Sequence, residues 1–107
     1  VSSGNSFVHE TESQVILNGS YNINFTMDLV LKDTGLFDDL AKKLGAPLEI
    51  SPKVVEIFKD GQKKYGSRAW SSMIVKRMED LNNIDFRASG FPEELTDNEP
   101  EEKGYEI

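Results

Sequence analysis

The sequence predicts a small all-α protein, a helical bundle that carries an extended acidic tail. Three observations lead there. Four segments place apolar residues at helical spacing. Glycine and proline punctuate their ends. No segment shows the strict alternation of a half-buried strand. With 107 residues the chain is one domain at most, able to bury a core with little margin.

Asn5 or Ser6 is placed to cap a first helix running to about Leu17, with a weak stripe of Phe7, Val8, Val15 and Ile16. The stretch NGSYNIN that follows reads as a loop, with Asn18-Gly19 as its turn. The second helix runs from about Thr26 to Leu44; Gly45 suits its C-terminal cap, and Pro47 prevents continuation. Ser51 as N-cap and Pro52 as first helical residue open the third helix. Its stripe is Val54, Val55, Phe58 and Tyr65, and Gly66 ends it. Gly61 within it marks a position where a neighbouring backbone comes close. The fourth segment has the cleanest periodicity: Trp70, Met73, Ile74, Met78 and Leu81 share one face, with Ser71 or Ser67 as cap. The helical unit is thus 1–81, and 82–107 is a largely irregular acidic tail.

The net charge of −7 is uneven. From Asn82 onward eight acids and two bases give −6, leaving −1 for the rest. The body therefore carries no basic field for nucleic acid. The tail also holds Phe86, Phe91, Leu95 and Tyr105, so it is either disordered or an extended arm laid over the surface. With no cysteine, disulfides and zinc-thiolate sites are excluded. No apolar run approaches the roughly 18 residues of a membrane span, and the polar N-terminal stretch lacks a signal peptide's apolar region. A soluble, cytoplasmic protein with no membrane partner is expected. No metal cluster is visible. His9 reads as a surface residue, and Asp28, Asp38 and Asp39 as a solvated face of the second helix.

One residue of the second helix is out of place. On a wheel turning about 100° per residue, Phe25, Leu29, Val30, Leu36, Phe37, Leu40, Ala41 and Leu44 fill one broad arc. Asp33 falls near its middle and Lys32 at its edge. A buried carboxylate costs several kcal/mol unless it is paired or hydrogen-bonded. Either Asp33 bonds a buried partner for structural reasons, or this face lines a cleft and the Lys32-Asp33 pair meets a polar ligand.

In order and spacing, these segments resemble the C-terminal domain of the 3-hydroxyisobutyrate dehydrogenase (β-hydroxyacid dehydrogenase) family, related to 6-phosphogluconate dehydrogenase. The similar residues are F-x-x-x-L-x-L-K-D-x-G-L from Phe25, A-K-K-L-G-A-P-L from Ala41, EIFKDGQKKYG from Glu56 and WSSMIVKR from Trp70. Upstream, SSGNSFVHETESQVILNG is similar to the family's Ser-Gly-x-Ser loop and the short helix after it. The likeness covers roughly Ser2 to Met78. One departure is the loop before the last helix, where the family's acids are replaced by Gly66-Ser67-Arg68-Ala69-Trp70-Ser71.

The resemblance implies part of a two-domain, NAD- or NADP-dependent oxidoreductase acting on a small 3-hydroxyacid and forming a homo-oligomer. It implies that Lys32 and Phe25 lie at the cofactor, with Asp33 and, more remotely, Ser6 near the cleft. The family's glycine-rich fingerprint and its catalytic-lysine helix have no counterpart here. The fragment alone is therefore expected to be inactive, with self-association through faces bearing Val54, Phe58, Trp70 and Met73. The reading from another class is a stand-alone helical interaction or dimerisation module without ligand.

Overall fold

The computed structural model describes residues 3–95, 100–101 and 103–105. Of the tail acids, Asp97, Glu99, Glu102 and Glu106 lie outside the described residues. Among those described there are four α-helices and no strand beyond two isolated bridges, so the protein is a small all-α bundle.

Helix α1 spans Phe7–Asn18. Ser6 is its N-cap: the extended backbone there turns its hydroxyl to accept from the His9 N–H at 3.1 Å. Gly19 closes the helix in the left-handed region, at φ 95°, and returns its N–H to Val15 and Ile16. Helix α2 spans Met27–Leu44, and Gly45 at φ 66° closes it in the same way. Lys42 and Lys43 in its last turn suit the negative end of the helix dipole.

The start of α2 is capped by a loop rather than by a side chain. The first N–H groups of a helix lack internal partners. Here the Met27 N–H donates to Ala69 O at 2.9 Å and the Asp28 N–H to Ser67 O at 3.1 Å. Residues 67–71 thus do with carbonyls what a capping hydroxyl does elsewhere. Arg68 adds an ion pair to Asp28 at 3.3 Å, which ties the same loop to the first turn of α2.

Helix α3 spans Ser51–Tyr65 and packs mainly on α2. Its N-cap is Ile50, one residue before the expected Ser51. Ser51 is instead the first helical residue, and its hydroxyl is turned to α2, where it donates to Asp38 at 2.6 Å. Gly61 admits side chains rather than backbone: a Cβ there would stand 2.8 Å from Ile74 Cδ1 and 3.1 Å from Met27 Sδ. A 3₁₀ segment, Ser71–Val75, then leads into helix α4, Lys76–Asn82. Neither has a side-chain cap, so the expected roles of Ser67 and Ser71 are not realised.

The split fourth segment overturns its predicted face. A 3₁₀ helix turns three residues per turn and an α-helix 3.6, so five residues shift the phase by about 100°. Met78 and Leu81 are consequently exposed, while Glu79 between them is buried.

The fully enclosed core is short: Val15, Tyr21, Met27 and Ala41, with Thr26, Ser71, Ser72 and Glu79 as buried polar members. No buried side-chain polar atom among the described residues lacks a hydrogen-bond partner. The radius of gyration is 16.5 Å, against about 13 Å for a compact chain of this length. Much apolar surface therefore stays open. After α4 the chain runs without helix across the α1–α2 loop. The Ala88 N–H donates to Leu17 O, Asn18 Nδ2 to Phe91 O, and the Ser20 hydroxyl to Glu93 O.

Candidate functional site

Helix α2 carries two apolar sectors. One packs inward: Met27 and Ala41 are buried, with Val30 and Thr34 half-buried between them. The other opens outward and bears Asp33, Leu36, Leu40 and Leu44, with Leu29 half-buried on it and Phe25 just before the helix. Leu36 is 63% exposed and Leu44 73%. The predicted arc therefore spans more than one packing stripe, and its middle belongs to the open sector.

Asp33 is accordingly not buried. Its side chain is 56% exposed and that of Lys32 62%, and Lys32 Nζ stands 3.1 Å from Asp33 Oδ1. The desolvation expected from the wheel does not arise, because both side chains stand more than half exposed. An ion pair between exposed groups contributes about 0–1 kcal/mol to the fold. Both members are thus available to a ligand at little cost. Phe25 lies just before the helix and Lys32 two turns further on, about 10 Å along an axis rising 1.5 Å per residue. Leu29 and Leu36 flank the pair. The strip offers an accessible ring, an ammonium, a carboxylate and apolar ground between them.

Phe25 is held from behind. Its carbonyl accepts from the Ser71 N–H at 2.8 Å, and the neighbouring Thr26 forms a bridge with Trp70. Asp28 fastens the same turn. Its carboxylate accepts from the Thr26 hydroxyl, from the Leu29 N–H and from Arg68. The Thr26 hydrogen bond first, and Arg68 after it, hold the Asp28 carboxyl below the usual carboxylate range. Asp28 and Asp38 are thus engaged rather than parts of a merely solvated face, and Asp39 is exposed. Ser6 stands apart from the strip, as the cap of α1, which packs chiefly on the 3₁₀ segment. His9 is exposed on α1, as expected.

Sequence reasoning missed a second polar cluster, behind the loop that leads into the strip. The Glu79 side chain is fully enclosed, yet it receives the Tyr21 hydroxyl and Arg87 Nη1, the latter at 3.2 Å. Arg87 Nη2 donates to the Tyr21 oxygen at 2.9 Å, and its guanidinium carbon stands 5.2 Å from the Tyr21 ring centroid. Burial first, and the bond to Glu79 second, push the Tyr21 hydroxyl up from its ordinary value. A tail arginine was the available hint, but its partners lie 8 and 66 residues away.

No group of three or more potential metal-ligating side chains occurs among the described residues. No helix among them is long and apolar enough to cross a membrane. A search of curated proteins and one of solved structures each gave no match. The model of the family described as "NAD-binding of NADP-dependent 3-hydroxyisobutyrate dehydrogenase" matches residues 1–78. That stretch contains the first three α-helices, the 3₁₀ segment and the whole outer strip of α2. With most of its length matched, the chain belongs to the NAD-binding family of NADP-dependent 3-hydroxyisobutyrate dehydrogenase.

Proposed function

We propose that the chain is the helical C-terminal portion of an NAD(P)-dependent 3-hydroxyacid dehydrogenase, covering the cofactor and substrate cleft with the outer strip of α2. The observation that carries this reading is the Lys32-Asp33 pair standing open on an apolar strip. It does so in a chain whose family is named for NAD binding.

The residues present suit such a ligand. Lys32 offers an accessible ammonium to a phosphate or carboxylate, and Phe25 an accessible ring beside the nicotinamide end. Asp33 orients Lys32 and can accept from an amide or hydroxyl. Leu29 and Leu36 keep water from the ground between them. Bound NAD(P) supplies the hydride acceptor or donor that interconverts a 3-hydroxyacid and its semialdehyde. The phosphate loop and the proton-transferring lysine are assigned to parts of the enzyme outside this chain, since neither motif occurs in its sequence. On this reading the 107-residue chain alone gives no turnover with any 3-hydroxyacid, and the domain contributes to dimerisation.

The test is Lys32→Ala in the full-length protein. One charge-assisted hydrogen bond is worth about 1.5–3 kcal/mol, so kcat/KM should fall roughly ten- to hundredfold. The melting midpoint should hardly move, because the pair is exposed. Unchanged kinetics with a lowered midpoint would make Lys32 a structural residue.

A second reading has its own observation. The open strip continues past the pair to Leu40 and Leu44, a surface that would equally suit another protein. A stand-alone helical interaction module would show no NADPH binding in the full-length protein, and its reading frame would lack an upstream glycine-rich fingerprint.

A further inference from the structure

We propose that Arg87 is a positioning residue for the α2 strip, acting through Tyr21 to fix the loop that delivers Phe25. This rests on the cofactor reading above.

The loop from Gly19 to Thr26 is unusual in its backbone. Tyr21 and Asn24 both adopt left-handed conformations, at φ 54° and 56°. Such conformations cost free energy for non-glycine residues and persist only where the surroundings hold them. At Tyr21 the surroundings are explicit. Its N–H donates to Val15 O at 3.1 Å, its carbonyl accepts from the buried Ser72 hydroxyl at 2.6 Å, and its own hydroxyl donates to Glu79. Four residues later the Phe25 carbonyl is pinned by Ser71. The ring of Phe25 therefore sits at the end of a short loop fastened at both ends.

Arg87 is the keystone of the first fastening. Its guanidinium neutralises the enclosed Glu79 carboxylate, donates to the Tyr21 hydroxyl oxygen and lies over the Tyr21 ring. It also reaches Ile16 O at 3.4 Å at the end of α1. A Cβ on Gly19 would stand 2.6 Å from Arg87 Nε, so the side chain is threaded directly over the turn. The hydrogen bonds from Ala88, Asn18 and Ser20 hold the strand after Arg87 along the same loop. Two of the three side chains, Glu79 and Arg87, follow the family-matched residues 1–78. The fastening thus draws on residues outside the matched region.

Tyr21→Phe isolates the link. It removes the hydroxyl that joins the loop to the cluster but leaves the Arg87–Glu79 pair. In the full-length protein, Arg87→Ala and Tyr21→Phe should each raise the NADPH dissociation constant roughly three- to tenfold through lost pre-organisation. At saturation kcat should stay within about twofold, since neither residue touches the reacting atoms. The double variant should be no weaker than the weaker single, because both act along one path. Hydrogen exchange at residues 21–24 should quicken in both. If Arg87→Ala does not fold, Tyr21→Phe and Arg87→Lys carry the same comparison at a temperature well below their melting midpoints. Faster exchange with unchanged NADPH affinity would overturn the positioning role, while a weakened Lys32→Ala would still uphold the cofactor reading. Unchanged affinity in Lys32→Ala as well would overturn both. Independent, additive effects of the two substitutions would show that Arg87 does not act through Tyr21.

Discussion

Gly61→Ala should destabilise the protein, although it places a better helix former in the middle of α3. In an exposed helix interior the exchange gains about 1 kcal/mol. Gly61 is buried, and the new methyl would lie 2.8 Å from Ile74 Cδ1, 3.1 Å from Met27 Sδ and 3.3 Å from Met27 Cε. Carbon atoms prefer about 3.5–4.0 Å, so two neighbours must shift. One of them, Met27, is fully enclosed at the start of α2. Overpacking of this kind costs about 1–3 kcal/mol. The clash outweighs the propensity gain, and a net loss of about 1 kcal/mol is expected. In a urea melt that lowers the midpoint by roughly 0.5 M. Ile74→Val removes the closest atom. Alone it should cost about 0.5–1.5 kcal/mol; on the Gly61→Ala background it should cost less or restore stability. A coupling of about 1 kcal/mol between the two sites is the quantitative expectation. A more stable Gly61→Ala, or strict additivity with Ile74→Val, would refute the claim that α3 packs tightly at this glycine against the 3₁₀ segment and the start of α2.

Tyr65 offers a titration test. Burial first, then its bond to Asp80 at 2.6 Å, pushes the hydroxyl up to about 12. The unfolded chain loses that proton near pH 10, so this contribution is complete below about pH 10 and is lost as pH rises toward 12. Melting midpoints of wild type and Tyr65→Phe should therefore converge as pH rises from about 10 to about 12, and a constant gap would count against the bond. Self-association is the other test. The 107-residue chain at micromolar concentration should sediment as a dimer or larger, and Leu40→Glu should return it to a monomer. Val54, Phe58, Trp70 and Met73 are only partly exposed, so the outer strip of α2 is the better face to substitute. A wild-type monomer with a cooperative melt would remove the premise.

Much of the fold was legible because its signals are local. Ser6, Gly19 and Gly45 act within one turn of their own helices: Ser6, one of two expected caps, and Gly45 cap as expected, and Gly19, expected as a turn residue, closes α1. The failures arise where a long-range partner decides. Ser51 has the chemistry of a cap, but the helix begins one residue earlier than a cap there requires, and its hydroxyl reaches Asp38 across the α2–α3 contact. Met78 and Leu81 follow a regular period from Trp70, but five 3₁₀ residues change the phase between them. Nothing in KRMEDLN announces that Glu79 will be enclosed, since its compensation comes from Tyr21 and Arg87. On α2 the wheel singled out Asp33. It could not divide one wide arc into two sectors.

That division explains why Asp33 can stand where it does. A packed sector selects against an ionised carboxylate, because removing it from water must be offset by partners. The inward sector of α2 obeys this: Met27, Val30 and Ala41 are apolar, and Thr34 returns its hydroxyl to Val30 O at 2.7 Å. A sector left wholly to solvent, by contrast, gains nothing from leucines at 29, 36, 40 and 44. The outer strip satisfies neither description. Its apolar residues suit contact, and its central ion pair suits contact with something polar. Two copies apposed face to face about the middle of the strip would bring two Asp33 carboxylates together, each still beside its own Lys32, and like charges so placed repel. A symmetric contact through this helix is therefore better centred toward Leu40 and Leu44, away from the pair. Such an offset leaves Phe25, Lys32 and Asp33 uncovered by the second copy. Cofactor contact and self-association can then share one helix, the first using its N-terminal half and the second its C-terminal turns. On that division Leu40→Glu should abolish the dimer of the isolated chain without reproducing the loss of NADPH affinity expected for Lys32→Ala. Loss of both together would mean that the strip is a single surface.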